Sequence, residues 1–167
     1  KLHVVHALLK SGRTVVFSDV DITFRHNPIP FLEESSASVL IQSDVTRTDI
    51  PHGQLRSHSI CSGFYMARPD PEILPVWNLD EDAYNRWPGD QPLLRYRLHK
   101  LPKSKWAVLP PQLFPSGEYW RTVRPVDPVL IHFNWCEGTG EKVIRMKEAQ
   151  TWHLETEGRS TGMNLIF

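Results

Sequence analysis

Only two cysteines occur in the 167 residues, Cys61 and Cys136. They lack metal-finger spacing and are too few for a disulfide scaffold. One bridge is possible in an oxidising lumen, but the favoured reading is two buried free thiols. Excess charge is missing as well. The 19 basic and 19 acidic side chains cancel, and the pI is near 7.3. That removes any electrostatic argument for nucleic acid or an anionic membrane surface. No uninterrupted apolar run is long enough to span a bilayer, and no signal peptide is visible. Internal repeats, low-complexity segments and Asn-x-Ser/Thr acceptor sites are also absent. The first residue is Lys1 rather than Met, and a helical pattern begins almost at once, so the start is expected to be a cut.

What is present is enough chain for one domain with a sizeable core. Fourteen prolines and six tryptophans suggest long ordered loops around a site. Leu2, Val5, Leu8 and Leu9 mark one helical face, which Gly12 ends. Strands are expected at Thr14 to Phe17, Ser38 to Asp44, Ile60 to Arg68, Ala107 to Leu109 and Val129 to Trp135. Gly63 inside the third suggests a bulge or the close approach of a ligand. The stretch Phe24 to Phe31 holds Pro28 and Pro30 and reads as a loop. A polar surface loop is expected over Thr46 to Ser59. Helices are expected from Pro71 through Trp77, around Leu93, Leu94 and Leu98, and from Val143 to Trp152. Leu113 to Gly117 reads as a turn. Strands alternating with helices argue for an α/β fold.

The chain is organised around Thr14-Val15-Val16-Phe17-Ser18-Asp19-Val20-Asp21-Ile22-Thr23-Phe24. A buried strand ends in two carboxylates. In an extended backbone residues i and i+2 share a side, so Asp19 and Asp21 face one space. Two carboxylates there repel unless a proton, a donor or a cation separates them. Hard divalent cations such as Mg²⁺ and Mn²⁺ favour such ligands. The plain alternative is an Asp-rich turn. Two known patterns fit: the Asp-x-Asp signature of glycosyltransferases with the GT-A fold, and the Asp-x-Asp-x-Thr motif of haloacid-dehalogenase-like phosphatases.

The order of the remaining pieces resembles the nucleotide-diphospho-sugar transferase family, which includes arabinosyl-, xylosyl- and galactosyltransferases of plants and algae. The matching pieces are Phe17-Ser18-Asp19-Val20-Asp21, Asn27-Pro28, Asp44, Ser62-Gly63-Phe64-Tyr65, Trp77 and Asp90-Gln91. Leu109-Pro110, Phe114-Pro115-Ser116-Gly117, and His132-Phe133-Asn134-Trp135 leading to Gly138 and Lys142 complete them. Cys61 departs from the pattern, standing where the family usually carries a polar residue.

The resemblance implies a GT-A-like mixed sheet flanked by helices. It also implies a single domain over residues 1–167 that is the C-terminal part of a larger one, because family members carry strand–helix units before the Asp-x-Asp strand. It implies transfer of a sugar from a nucleotide-diphosphate donor, foremost a UDP-sugar, to a glycan or glycoprotein hydroxyl, with retention. Asp19, Asp21 and His132 would hold Mn²⁺ or Mg²⁺. Lys142 would meet the diphosphate as a point charge. Gly138 and Gly140 would let the backbone approach phosphate, and Asn134, Ser62 and Gly63 would contact the donor. Asp90 and Gln91 would flank the donor sugar as the catalytic pair.

Each residue has a plainer role to set beside these: a hydrogen-bonded core histidine for His132, a solvated lysine for Lys142, a helix N-cap for Asp90, and packing for Trp135. A Golgi-lumen setting follows if the protein is eukaryotic, with any membrane anchor outside this segment. Two alternatives remain. A phosphatase would use Asp19 as nucleophile, Ser43 as the strand-ending hydroxyl and Gly89-Asp90 as the acidic motif. An inactive module would bind nucleotide or sugar without turnover.

Overall fold

The computed structural model describes residues 1–45 and 60–154. The expected loop over Thr46 to Ser59 lies outside them. The elements run α1 (Leu2–Lys10), β1 (Val15–Ser18), β2 (Ile22–Phe24), α2 (Ile29–Glu33), β3 (Val39–Ser43) and β4 (Ile60–Ala67). They continue with α3 (Leu74–Trp77), α4 (Glu81–Arg86), α5 (Asp90–Leu98), β5 (Trp106–Val108), α6 (Gly117–Val123), β6 (Leu130–His132) and α7 (Gly138–Glu148).

The main sheet has the order β1-β4-β3-β5. β4 runs antiparallel to both neighbours, while β3 and β5 are parallel, so the sheet is mixed. Every residue of β3 and β4 is buried, as expected for strands covered on both faces. Alternation sorts their side chains. Val39, Ile41, Tyr65 and Ala67 join Leu2, Val5, Leu9, Trp77, Leu93 and Leu98 under α1, α3 and α5. Leu40, Phe64 and Met66 point the other way, onto Leu32, Phe114 and Leu130. The expected α/β fold, a mixed sheet flanked by helices, is what the chain adopts.

A second, two-stranded ribbon pairs β2 with β6 antiparallel, placing Ile22 opposite His132. Backbone bonds extend the β1–β4 and β2–β6 pairings toward the turn between β1 and β2, and a third ties β6 to the loop before α6. Asp19 N donates to the Gly63 carbonyl at 2.7 Å, Phe133 N to the Asp21 carbonyl at 2.9 Å, and His132 N to the Pro115 carbonyl at 3.2 Å.

Several local expectations are corrected. The Asp19-Val20-Asp21 stretch is a turn between β1 and β2, not extended strand, and Val20 is fully exposed. The two carboxylates still converge, because the turn folds both toward His132. Phe24 ends a strand, and Pro28 and Pro30 cap and open α2 rather than maintain a loop. Proline suits a first turn, where its missing N–H has no partner to lose. For the same reason α3 starts at Leu74 with Pro75, later than Pro71. Two helices went unread in the sequence. Asp80 caps α4 by accepting from Ala83 N at 2.8 Å, and Ser116 caps α6 through Tyr119 N at 3.4 Å. The strand expected to Trp135 stops at His132, and the last helix starts at Gly138 and ends before Trp152.

Candidate active site

Asp19, Asp21 and His132 form a cluster in which one ligand atom from each lies within 4.8 Å of the others. The sequence places them there through three elements. β1 delivers the turn, β6 delivers His132 beside it, and β4 passes behind at Gly63. His132 is 3% exposed. Its Nε2 lies 3.2 Å from Asp21 Oδ1 and 3.9 Å from Asp19 Oδ2. A Cβ on residue 63 would sit 2.2 Å from His132 Cε1 and 2.8 Å from Asp19 Oδ2, so only glycine leaves room for the cluster. The close approach expected at Gly63 is therefore the site's own side chains. The β3–β4 register also shifts between Ile41 and Gln42 beside it.

The tautomer of His132 follows from its neighbour. Gln42 is fully buried and its Nε2 donates to the carbonyls of Phe114 (3.1 Å) and Pro115 (3.0 Å). Its Oε1 therefore faces His132 Nδ1, at 2.9 Å, and can only accept. Nδ1 carries the proton, and a neutral ring turns the Nε2 lone pair toward the two carboxylates. Three electron pairs aimed at one space require a proton or a cation between them. A neutral imidazole held through its other nitrogen is the arrangement found in metal-ligating histidines. The residues thus fit a divalent cation bound by Asp19, Asp21 and His132 Nε2.

Lys142, from α7, donates to Asp21 Oδ2 at 2.6 Å. When a proton rather than a cation lies between His132 and Asp21, the ring donates through Nε2, and that bond and then Lys142 hold the Asp21 carboxyl well below the usual carboxylate range, against the opposing effect of burial. Lys142 is still 35% exposed and so is reachable by a ligand.

The rest of the site hangs on Asp44. It accepts from Asn134 Nδ2 (3.1 Å), Trp135 Nε1 (2.8 Å) and Gln91 Nε2 (3.2 Å). Gln91 Oε1 in turn accepts from Ser62 N at 3.1 Å. Asp44 therefore ties the end of β3 to α5 and to the β6–α7 connection. Asp90 does not cap α5, correcting that expectation: Gly89 occupies the cap, and Asp90 lies in the first turn. Its carboxylate meets Lys1 Nζ at 2.5 Å. Lys1 also reaches the Ser62 carbonyl (3.0 Å) and Asp19 Oδ1 (3.7 Å). Burial lowers its ammonium pKa, with Asp19 opposing.

All the sequence-predicted residues fall in this region, but with different standing. Asp19, Asp21, His132 and Lys142 meet directly, and Asp90, Gln91, Ser62 and Gly63 adjoin them. Asn134 has both ends of its amide engaged, its Oδ1 accepting from Gly117 N at 2.7 Å, so it braces the loop. Gly138 opens α7 at φ 77°, a left-handed conformation suited to glycine, and space beside Gly138 and Gly140 is open. Trp135 does not pack as expected. It is 57% exposed, at φ 57°, with its indole N–H anchored on Asp44.

Sequence reasoning missed Gln42 and Lys1 as members and left Asp44 without a role. Asp44 and Gln42 follow the alternation of a strand approaching the site, but nothing local marks them as partners of residues 90 positions away. Both cysteines are free. Cys61 is buried, with Sγ 3.4 Å from His132 Nδ1, while Cys136 is only half-buried, against expectation. Burial, then the nearby Asp44 charge, pushes the Cys61 thiol up to about 12.

The family model described as nucleotide-diphospho-sugar transferase matches residues 1–146. The chain belongs to that family. It is 30% identical to the beta-arabinofuranosyltransferase RAY1 of Arabidopsis thaliana, over 95% of this chain and 34% of the relative. It is 23% identical to the UDP-D-xylose:L-fucose alpha-1,3-D-xylosyltransferase 3 of the same plant, over 89% of this chain and 45% of the relative. It is also 23% identical to the UDP-galactose:fucoside alpha-3-galactosyltransferase of Dictyostelium discoideum, over 97% and 28%. The chain thus spans between 28% and 45% of the length of these transferases. In fold it is similar to a glycosyltransferase involved in glycosylating the major capsid of PBCV-1, with TM-score 0.56, 16% identity, and coverage of 87% of this chain and 71% of that one.

Family membership goes against the phosphatase alternative, and the geometry agrees. Gly89-Asp90 opens a helix instead of following a buried strand, and Ser43 Oγ is spent on Val45 N at 3.1 Å.

Proposed function

We propose that this nucleotide-diphospho-sugar transferase segment forms the metal- and donor-binding part of a glycosyltransferase. It moves a sugar from a nucleotide-diphosphate donor, foremost a UDP-sugar, to a hydroxyl of a glycan or glycoprotein. The observation that carries the reading is the convergence of Asp19, Asp21 and the His132 Nε2 lone pair beside Lys142.

Asp19, Asp21 and His132 hold Mn²⁺ or Mg²⁺, which when bound supplies charge neutralisation for a leaving diphosphate. Lys142 turns from Asp21 to a diphosphate oxygen as a point charge. The amides opening α7 at Gly138 and Gly140 add donors at a helix start. Ser62 and Gly63 line the floor under the donor sugar. Asp90, held by Lys1, orients a sugar hydroxyl or faces the positive charge that builds on the ring. Gln91 keeps that edge of the site in place and can offer its carbonyl by releasing Ser62 N–H. No separate general base stands out in the site. Retention, as the family resemblance implies, would have the acceptor hydroxyl attack the face the diphosphate leaves, with a diphosphate oxygen taking its proton as the old anomeric C–O bond breaks.

In this reading the residues form the C-terminal part of one domain, with the remaining strand–helix units and any membrane anchor elsewhere in the protein. Among the described residues no helix is long and apolar enough to cross a membrane. A Golgi-lumen setting fits the eukaryotic relatives. An inactive binding module is the second reading, favoured by the short span relative to those transferases.

The test is release of UDP from UDP-xylose, UDP-galactose and UDP-arabinofuranose in Mn²⁺, by this chain and by a version extended upstream. EDTA-sensitive release by either supports the reading. Release only by the extended form places the rest of the nucleotide pocket upstream. Mn²⁺-dependent UDP binding without release by either form supports the inactive module.

A further inference from the structure

We propose that a cleft beside Gln91 is an acceptor subsite for an acidic saccharide, a sugar chain bearing ring carboxylates. The proposal rests on the transferase reading of the neighbouring centre. The cleft has a volume of about 660 Å³ and is walled by Trp87, Gln91, Pro92, Arg95, Tyr96 and His99. That is within the size range of small-ligand pockets.

Its position is set by α5. Gln91 lines the cleft and also bonds Ser62 N and Asp44 at the centre. An acceptor hydroxyl must reach the anomeric carbon alongside the donor sugar, and Gln91 is the residue the cleft shares with that edge of the centre.

Its chemistry has two parts. Trp87 and Tyr96 pack with centroids 4.9 Å apart and planes inclined by 36°, giving an aromatic wall. Tyr96 remains 39% exposed, and Lys100 Nζ sits 4.1 Å from the centre of its ring. Pyranose rings present C–H faces that lie well on such surfaces. The second part is charge. No Asp or Glu lines the cleft among the described residues. Arg95 is exposed on α5, and its guanidinium makes no ion pair among them. His99 Nδ1 donates to the Arg95 carbonyl at 2.7 Å, which sets the ring beside it. A guanidinium fork matches a carboxylate in two parallel bonds, whereas a neutral sugar gains little from it. Aromatic wall and unpaired arginine together favour a carboxylated sugar over a neutral one.

The test is calorimetric titration of the chain with trigalacturonic acid and with its fully methyl-esterified form, which keeps the skeleton and removes the charge. The free acid is expected to bind, and the ester about tenfold more weakly. Arg95→Gln should abolish that difference, while Arg121→Gln, a charge change on α6 outside the cleft, should leave it intact. Equal binding of acid and ester, no binding of either, or an unchanged preference in Arg95→Gln would overturn the proposal. Displacement of the acid by UDP would overturn it as well, making the cleft a nucleotide pocket. A separate UDP titration with Mn²⁺ keeps the two ideas apart. Arg95-dependent binding of the acid without UDP binding would leave an acidic-sugar site standing and count against the transferase reading alone.

Discussion

Gln42 Oε1 and His132 Nδ1 lie 2.9 Å apart in the buried heart of the molecule, and the other end of Gln42 is committed to two backbone carbonyls. This one contact decides which nitrogen of His132 faces Asp19 and Asp21. In the proposed metal site, a glutamine buried behind a histidine would thereby set the ligand without touching the metal.

Replacing Gln42 with leucine removes the oxygen acceptor of Nδ1, leaving only the weakly accepting Cys61 sulfur beside it, and takes one donor from each of the Phe114 and Pro115 carbonyls. Mn²⁺ affinity should fall about 10- to 100-fold, the usual cost of losing such a support. Stability should fall by about 1–3 kcal/mol. Mn²⁺ titration and urea unfolding check the two effects. Unchanged Mn²⁺ affinity would free His132 from Gln42's control.

Gly63→Ala tests the crowding behind the cluster. The new methyl would meet His132 and Asp19 at distances no carbon tolerates, so one or both must move. Mn²⁺ binding should be lost or reduced at least tenfold, with a fall in Tm of several degrees for about 1–2 kcal/mol. Retained Mn²⁺ binding would mean the cluster is not held at this point.

Much of this was legible in advance, for a physical reason. Buried strands announce themselves by apolar runs, and carboxylates at a strand end are unusual enough to mark a site. Asp19 and Asp21 were therefore readable in one dimension, whereas His132, Lys142, Asp90 and Gln91 stood out only through the family resemblance. The helices α4 and α6 were missed although Asp80 and Ser116 are ordinary caps, because their apolar faces are too short to show a period. Gln42, Lys1 and the role of Asp44 were not readable at all. Their importance lies in partners such as Asn134 and Asp90, brought close only by the sheet order. Trp135 misled because an aromatic residue usually packs, whereas this one is pinned by its N–H on Asp44 and left open.

Asp44→Ala should loosen three partners at once, Gln91, Asn134 and Trp135. A loss of about 2–4 kcal/mol is expected, since three N–H groups lose one charged acceptor. Urea unfolding measures it. In a double-mutant cycle with Trp135→Phe the losses should be clearly less than additive. Strict additivity would mean that the indole bond contributes nothing.

A pH effect is expected away from the site. Asp70 accepts from Ser38 Oγ at 2.6 Å and from Lys105 Nζ at 2.9 Å. The Ser38 hydroxyl, then Lys105, lower its pKa from 3.8 to about 2. A depressed carboxylate stabilises the fold above its unfolded pKa, and the contribution disappears as pH falls through the folded value. Asp70→Asn should therefore lower Tm at pH 7, and the difference from the parent should shrink between pH 3.8 and about 2. A difference independent of pH over that window would assign the effect to packing instead.

The most direct measurement is calorimetric binding of UDP with and without Mn²⁺, on the chain, on Asp21→Asn and on an upstream-extended form. Asp21→Asn keeps the shape and removes the charge that faces His132 and Lys142. Binding that needs both Mn²⁺ and Asp21 is the predicted result, in the chain itself or in the extended form. UDP binding that ignores Mn²⁺ and Asp21, or none in either form, would contradict the donor site built on Asp19, Asp21 and His132.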